Sequence, residues 1–208
     1  MGNTSPSNLN VKYKKILSHE RSWAISVARS VIKQRPISVW EVMIPILLVF
    51  LYAKSRTDKE NFIQNLLFTK NLALEAAFDR IEKGLGKEKV ISKIKDKTGD
   101  ILASDTKGVY SQKIRLKQMK EIELLVGHYQ RLLEAEGQDY DTMTKNAYQT
   151  LGKYTAFLDQ LEQAEKEVYK AAQKTVKATT GSDLVSKMEK ATERVRKARA
   201  EKIFETIK

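Results

Sequence analysis

The chain has 208 residues, of which 31% are charged, with a mean hydropathy of -0.47 and no cysteine. This composition describes a water-facing body of one domain, with room for an appendage. It excludes disulfides, thiolate zinc sites and cysteine nucleophiles. The net charge of +12 is unevenly spread: residues 1–35 carry +6, 83–97 carry +4 and 183–208 carry +3, whereas 98–182 holds twelve basic and twelve acidic residues.

Residues 1–11 read as a polar, disordered tail. Pro6 stands where a myristoylation signal needs Ser or Thr, so lipidation is not expected. Residues 12–35 then read as a basic amphipathic helix. Ile16, Trp23, Val27 and Val31 recur at helical spacing, while Lys14, Arg21, Arg29 and Lys33 stand away from that stripe. A basic helix with an apolar face and a tryptophan suits the membrane interface; the competing reading is an ordinary bundle helix. The expected membrane contacts here are Lys14, Lys15, Arg21, Trp23, Arg29 and Lys33.

Residues 36–56 hold the one continuous apolar run, Ile37 to Ala53. Its seventeen residues meet the lower limit of about 17 for a membrane-spanning helix. Trp40 and Tyr52 sit near its ends as an aromatic belt would, with Phe50 in the apolar stretch between them. Pro45, in the middle, removes a backbone hydrogen bond and kinks a helix. Two membrane geometries fit: a short tilted span, or a hairpin dipping into one leaflet and turning at Pro45. A buried core helix is the third possibility. Four basic residues precede the run closely and four follow it, so the positive-inside rule gives a single span no direction and favours the hairpin, with both flanks cytoplasmic. No A-x-A cleavage site follows, which argues against a secretory signal, whereas a mitochondrial presequence fits residues 1–35.

Residues 57–208 read as a helical bundle. All three prolines lie at or before Pro45, and the later sequence is rich in helix formers. Thr57 with Glu60 forms a capping box that opens a helix reaching Gly84, with Phe62, Leu66, Leu67, Leu74 and Phe78 on one side. A short basic piece spans 87–97, and 99–105 reads as a loop. Two long helices follow, 105–136 and 139–179, broken at Gly137-Gln138. The second carries a heptad-like seam of Ala147, Leu151, Tyr154, Leu158, Leu161, Val168 and Ala172, interrupted by Glu165. The pair predicts an antiparallel coiled-coil-like αα-hairpin. A last helix covers 182–207. The expected fold class is therefore all-α: an amphipathic N-terminal helix, a short membrane-inserted segment, and a bundle built on that hairpin.

No pattern carries chemistry. Gly84-Leu85-Gly86-Lys87 lacks phosphate-loop spacing, and neither His19 nor His128 has a glutamate three residues before it, as a di-iron bundle requires. His128 reads as a core-edge or surface histidine, and the carboxylates interleave with lysines as on a solvated face. No catalytic, cofactor or metal residue is expected. In size and helical make-up, with an amphipathic helix ahead of long hairpins, the chain resembles the phage-shock and plastid membrane-remodelling proteins. Those proteins lack an apolar stretch like 37–53, and no motif matches residue by residue.

These readings point to a non-catalytic membrane-anchored scaffold that meets anionic lipid and presents its hairpin to a protein partner or a second copy. Its expected place is the cytoplasmic face of a bacterial inner membrane, or alternatively the mitochondrial inner membrane. Self-assembling membrane remodelling is the second expectation. Nucleic-acid binding through the basic C-terminal helix is the third, and less favoured because the strongest positive excess lies beside the apolar run.

Overall fold

Seven helices and no strand make up the described residues of the computed structural model, which are 6–32, 58–105, 110–173 and 182–205. They are α1 (Pro6–Ile32), α2 (Asp58–Glu82), α3 (Lys87–Ser104), α4 (Gln112–Glu134), α5 (Tyr140–Tyr148), α6 (Leu151–Gln173) and α7 (Ser182–Phe204). Among the described residues no helix is long and apolar enough to cross a membrane. The apolar run at 37–53 and the proposed cap at Thr57 lie outside them.

Side-chain contacts fix the direction of each helix. Arg21 meets Glu60 at 3.3 Å, Glu20 meets Lys70 at 2.8 Å, and Tyr13 stacks edge-on to Phe78 with centroids 5.0 Å apart, so α1 and α2 are antiparallel. Thr69 donates to Glu121 at 2.9 Å and Arg80 to Gln130, which makes α2 and α4 parallel. Lys117–Glu167 at 2.9 Å and the His128–Phe157 ring stack set α6 antiparallel to α4. Glu165–Arg196 and Tyr154–Phe204 do the same for α7 against α6. Asp79–Lys93 and Glu75–Lys97, both 3.7 Å, run α3 back along α2. One end of the bundle therefore gathers the C-termini of α1, α3 and α6 with the N-termini of α2, α4 and α7.

The principal core joins Ile16, Leu74, Ile122, Leu125, Tyr129 and Leu132, all under 2% exposed, with flanking residues from α3, α5, α6 and α7. A second cluster packs Trp23, Val27 and Val31 of α1 on Phe62, Ile63 and Leu67 of α2 and Met188 and Ala191 of α7. A third holds Tyr110 and Ile114 against Val168, Ala171 and Ala172. Burying one large aliphatic side chain contributes about 1.5–3 kcal/mol, so these faces, rather than helix propensity, hold the helices together.

Several boundaries differ from the sequence reading. α1 starts at Pro6, inside the supposed tail. Proline suits the first helical position because its missing N–H is unpaired there anyway, and Leu9, one turn on, is buried. Lys12 holds that turn in place: its ammonium donates to the Leu133 and Ala135 carbonyls at 3.1 and 2.7 Å, at the C-terminus of α4. The basic piece and the expected loop after it are one helix, α3, running through Gly99. A helical glycine costs about 1 kcal/mol against alanine, which burial of Val90, Ile91 and Ile94 outweighs.

The long second arm of the hairpin is broken. Helix α5 stops at Tyr148, Gln149 takes φ +65°, and α6 begins at Leu151. Helices α4 and α6 still pack antiparallel, but as two partners in the bundle. The break at Gly137 is as expected and has a steric cause. Its φ is +147°, and a Cβ there would sit 2.7 Å from the Met143 amide nitrogen. Asp139 then caps α5 in a reciprocal box with Thr142, accepting from the Thr142 N–H at 2.8 Å.

Candidate functional site at the centre of the bundle

The most heavily built polar region lies halfway along the bundle. Glu20 lies on the same stripe of α1 as Ile16, Trp23 and Val27, and it faces Lys70, which falls within the apolar stripe of α2 between Leu67 and Leu74. Both side chains of this ion pair are under 8% exposed. Burial alone raises a carboxyl pKa, but Lys70, His19 and the Lys70 hydrogen bond overcome it and hold Glu20 at about 2. Nearby, Arg196 of α7 grips Glu165 of α6 with two N–H donors, each at 2.6 Å. Both cations sit on Trp23: Lys70 lies 4.4 Å and Arg196 5.3 Å from its ring centroid.

An aromatic cluster closes the region below. His128 is buried, its Nδ1 2.8 Å from the Tyr148 hydroxyl and its Nε2 3.3 Å from that of Tyr140. Phe157 stacks on its ring, and His19 stacks on Tyr140. Burial pushes the pKa of both histidines down to about 3, against a raising effect of Glu20, so both are neutral at pH 7. Burial raises Tyr154 to about 12. The Tyr129 hydroxyl, fully buried, faces the Glu20 carboxylate without closing a well-formed hydrogen bond. Glu121 is lifted to about 7, by burial first and by the Glu165 carboxylate second.

The expected membrane contacts are dispersed. Lys14 and Arg29 are exposed on α1. Lys15, also exposed, donates to the Gln138 carbonyl, and Arg21 pairs with Glu60. Trp23 is only 5% exposed and packs on protein. Where the sequence reading lays this face of α1 in a bilayer, the structure lays it on α2 and α7. The physical reason is Glu20: on that face a bilayer leaves its carboxylate unpaired, whereas the bundle supplies Lys70. Lys33, Trp40, Pro45, Phe50 and Tyr52 lie outside the described residues.

Sequence reasoning missed the polar centre, although two signals pointed to it. Glu165 interrupts the apolar seam of its helix, and Lys70 stands inside an apolar stripe; each is a charge at a core position. His128, placed at a core edge or on a helix surface, proves fully enclosed and hydrogen-bonded. Among the described residues no group of three or more His, Cys, Asp or Glu side chains is arranged to hold a metal ion. Compared with protein-family models, curated proteins and solved structures, the chain matches none.

Proposed function

We propose that this protein is a non-catalytic helical scaffold docked by one end on an anionic membrane, with residues 36–56 entering a single leaflet from the cytoplasmic side. The observation that supports this reading is the antiparallel pairing of α1 and α2. It brings Ile32 and Asp58 to the same end of the bundle, so the apolar run leaves and rejoins the body at one place. A single crossing would put the partners Glu20 and Lys70 on opposite sides of the bilayer. Two crossings need about 34 residues or more, and only 25 lie between the helices. A shallow hairpin turning at Pro45 fits both limits.

Charge supports the same end. In sequence the helix ends gathered there are joined by residues 33–57, 105–111 and 174–181. Together these segments contain Lys33, Arg35, Lys54, Arg56, Lys107, Lys174 and Lys177 against two acids, Glu41 and Asp105. Each basic residue at an anionic surface contributes about 1 kcal/mol. The sides of the bundle are left for a protein partner or a second copy. The groove between α4 and α6 is the natural place, lined by Lys117, Lys120, Glu123 and Glu167 around Leu124 and Ala164.

The full chain should float with phosphatidylglycerol-containing vesicles and remain in solution with neutral ones. Single cysteines at Ser5 and Ser92, in this cysteine-free chain, report sidedness in intact cells with an impermeant thiol reagent. Equal protection of both sites is the expected result. Labelling of one site alone establishes a span and defeats the reading, and a salt-sensitive shift with RNA or DNA but none with vesicles replaces it with nucleic-acid binding.

A further inference from the structure

The cavity at the centre of the bundle is left with donors that its own acceptors do not use. It measures about 30 Å³, is partly open to solvent, and has Trp23, Lys70, Arg196 and Arg199 among its lining residues. Most of its polar walls are satisfied internally. Lys70 is taken by Glu20, Arg196 by Glu165, and the His128 ring by Tyr148 and Tyr140. Two groups remain. The indole N–H of Trp23 is buried and has no acceptor, and the half-buried Arg199 guanidinium has no carboxylate or carbonyl on it among the described residues.

Charge leads to the same conclusion. Lys70, Arg196 and Arg199 line the cavity with Glu20 as the one carboxylate among them, Glu165 pairing with Arg196 and Glu121 interacting with Lys70 and Arg196, while both histidines are neutral. Leu125, Phe157 and Leu161 line the rest and keep the local dielectric low, which strengthens any charge-assisted hydrogen bond made there. The volume admits a water molecule or a bare halide, since one water needs about 10–15 Å³ by this kind of measure.

We propose that the cavity binds one small monovalent anion of halide size, held by the Trp23 indole N–H and the Arg199 guanidinium. The proposal is independent of the membrane reading. It makes the anion an internal component of the fold, bridging α1 and α7 where Arg196 already covers Trp23.

Trp23 is itself the reporter. Replacing Trp40→Phe leaves it as the sole tryptophan, and sodium bromide or iodide can be titrated at constant ionic strength against gluconate. Saturable quenching of Trp23 emission is expected, with the half-saturation concentration raised tenfold or more by Arg199→Gln and less by Arg199→Lys. Unfolding midpoints in gluconate check that the variants are folded. Chloride should compete with bromide in the same titration. Quenching that rises linearly without saturation, or saturation unchanged in a folded Arg199→Gln protein, overturns the proposal and leaves the cavity to water.

Discussion

Lys70 and Glu20 meet at 2.8 Å inside the bundle, each shielded from solvent by the helix that carries the other. A buried pair of this kind adds little beyond an apolar pair of the same shape, yet breaking it is costly because one charge is left alone. Lys70→Met or Glu20→Gln should each destabilise the protein by about 3–5 kcal/mol. The double variant Glu20→Leu, Lys70→Met should recover most of that loss. Urea unfolding of the three variants measures the coupling, and additive costs would show that the two residues act separately.

Acid should loosen the fold from an unusually high pH. His19 and His128 titrate at about 3 when folded against 6.5 for free histidine. Between those values the unfolded chain binds more protons, so stability falls as pH drops below about 6.5. Each histidine contributes at most about 1.4 kcal/mol per pH unit. Glu20, at about 2 when folded, adds to the loss below its unfolded value of 4.5. Glu121 has the opposite sign: its folded value of about 7 removes stability as pH rises from 4.5 to 7. A His19→Gln, His128→Gln protein should show a flattened or reversed slope between pH 4.5 and 6.5 in denaturant titrations.

Gly137→Ala should cost about 1–3 kcal/mol, the usual cost of forcing a side chain into a sparsely populated backbone region. Here the backbone of Met143 adds to the strain, lying 2.7 Å from the new Cβ. The loss should appear in thermal unfolding as a lowered midpoint, with helix content unchanged.

Gln149→Gly should act in the opposite direction. Gln149 is exposed and holds φ +65° with ψ -35° at the end of α5, a conformation that favours glycine. A gain of about 0.5–1 kcal/mol is expected once the extra entropy of an unfolded glycine is deducted. A loss instead would assign a larger role to the bond that Lys153 donates to the Gln149 side chain at 2.8 Å.

Helical periodicity carried much of the architecture. The buried face of α2 follows the stripe read from sequence, and the breaks at Gly84 and Gly137 fall where glycine takes positive φ. The break at Gln149 was not legible, because Gln149 and Thr150 interrupt no apolar pattern. The strain at Gln149 is sustained by the packing of Tyr148 and Tyr154 around His128. The polar centre was hidden for a related reason. Glu20, Lys70, His128, Glu165 and Arg196 come from five helices, and a single charge on an apolar stripe does not say which charge on another helix it meets. Only the tertiary arrangement pairs them.

The docking of α1 against α7 has a consequence for the order in which the protein is made. Trp23 and Ser30, near the start of the chain, contact Arg196 and Arg194, near its end. At about 5–20 residues per second, the ribosome takes on the order of ten to thirty seconds to supply the final helix. Throughout that interval the apolar side of α1 lacks one of its two covering helices, and the run at 37–53 follows it directly out of the exit tunnel. A nascent chain therefore exposes the apolar face of α1 and the apolar run after it well before α7 is made to cover α1. On the proposed membrane reading, contact with lipid during translation would precede closure of the bundle.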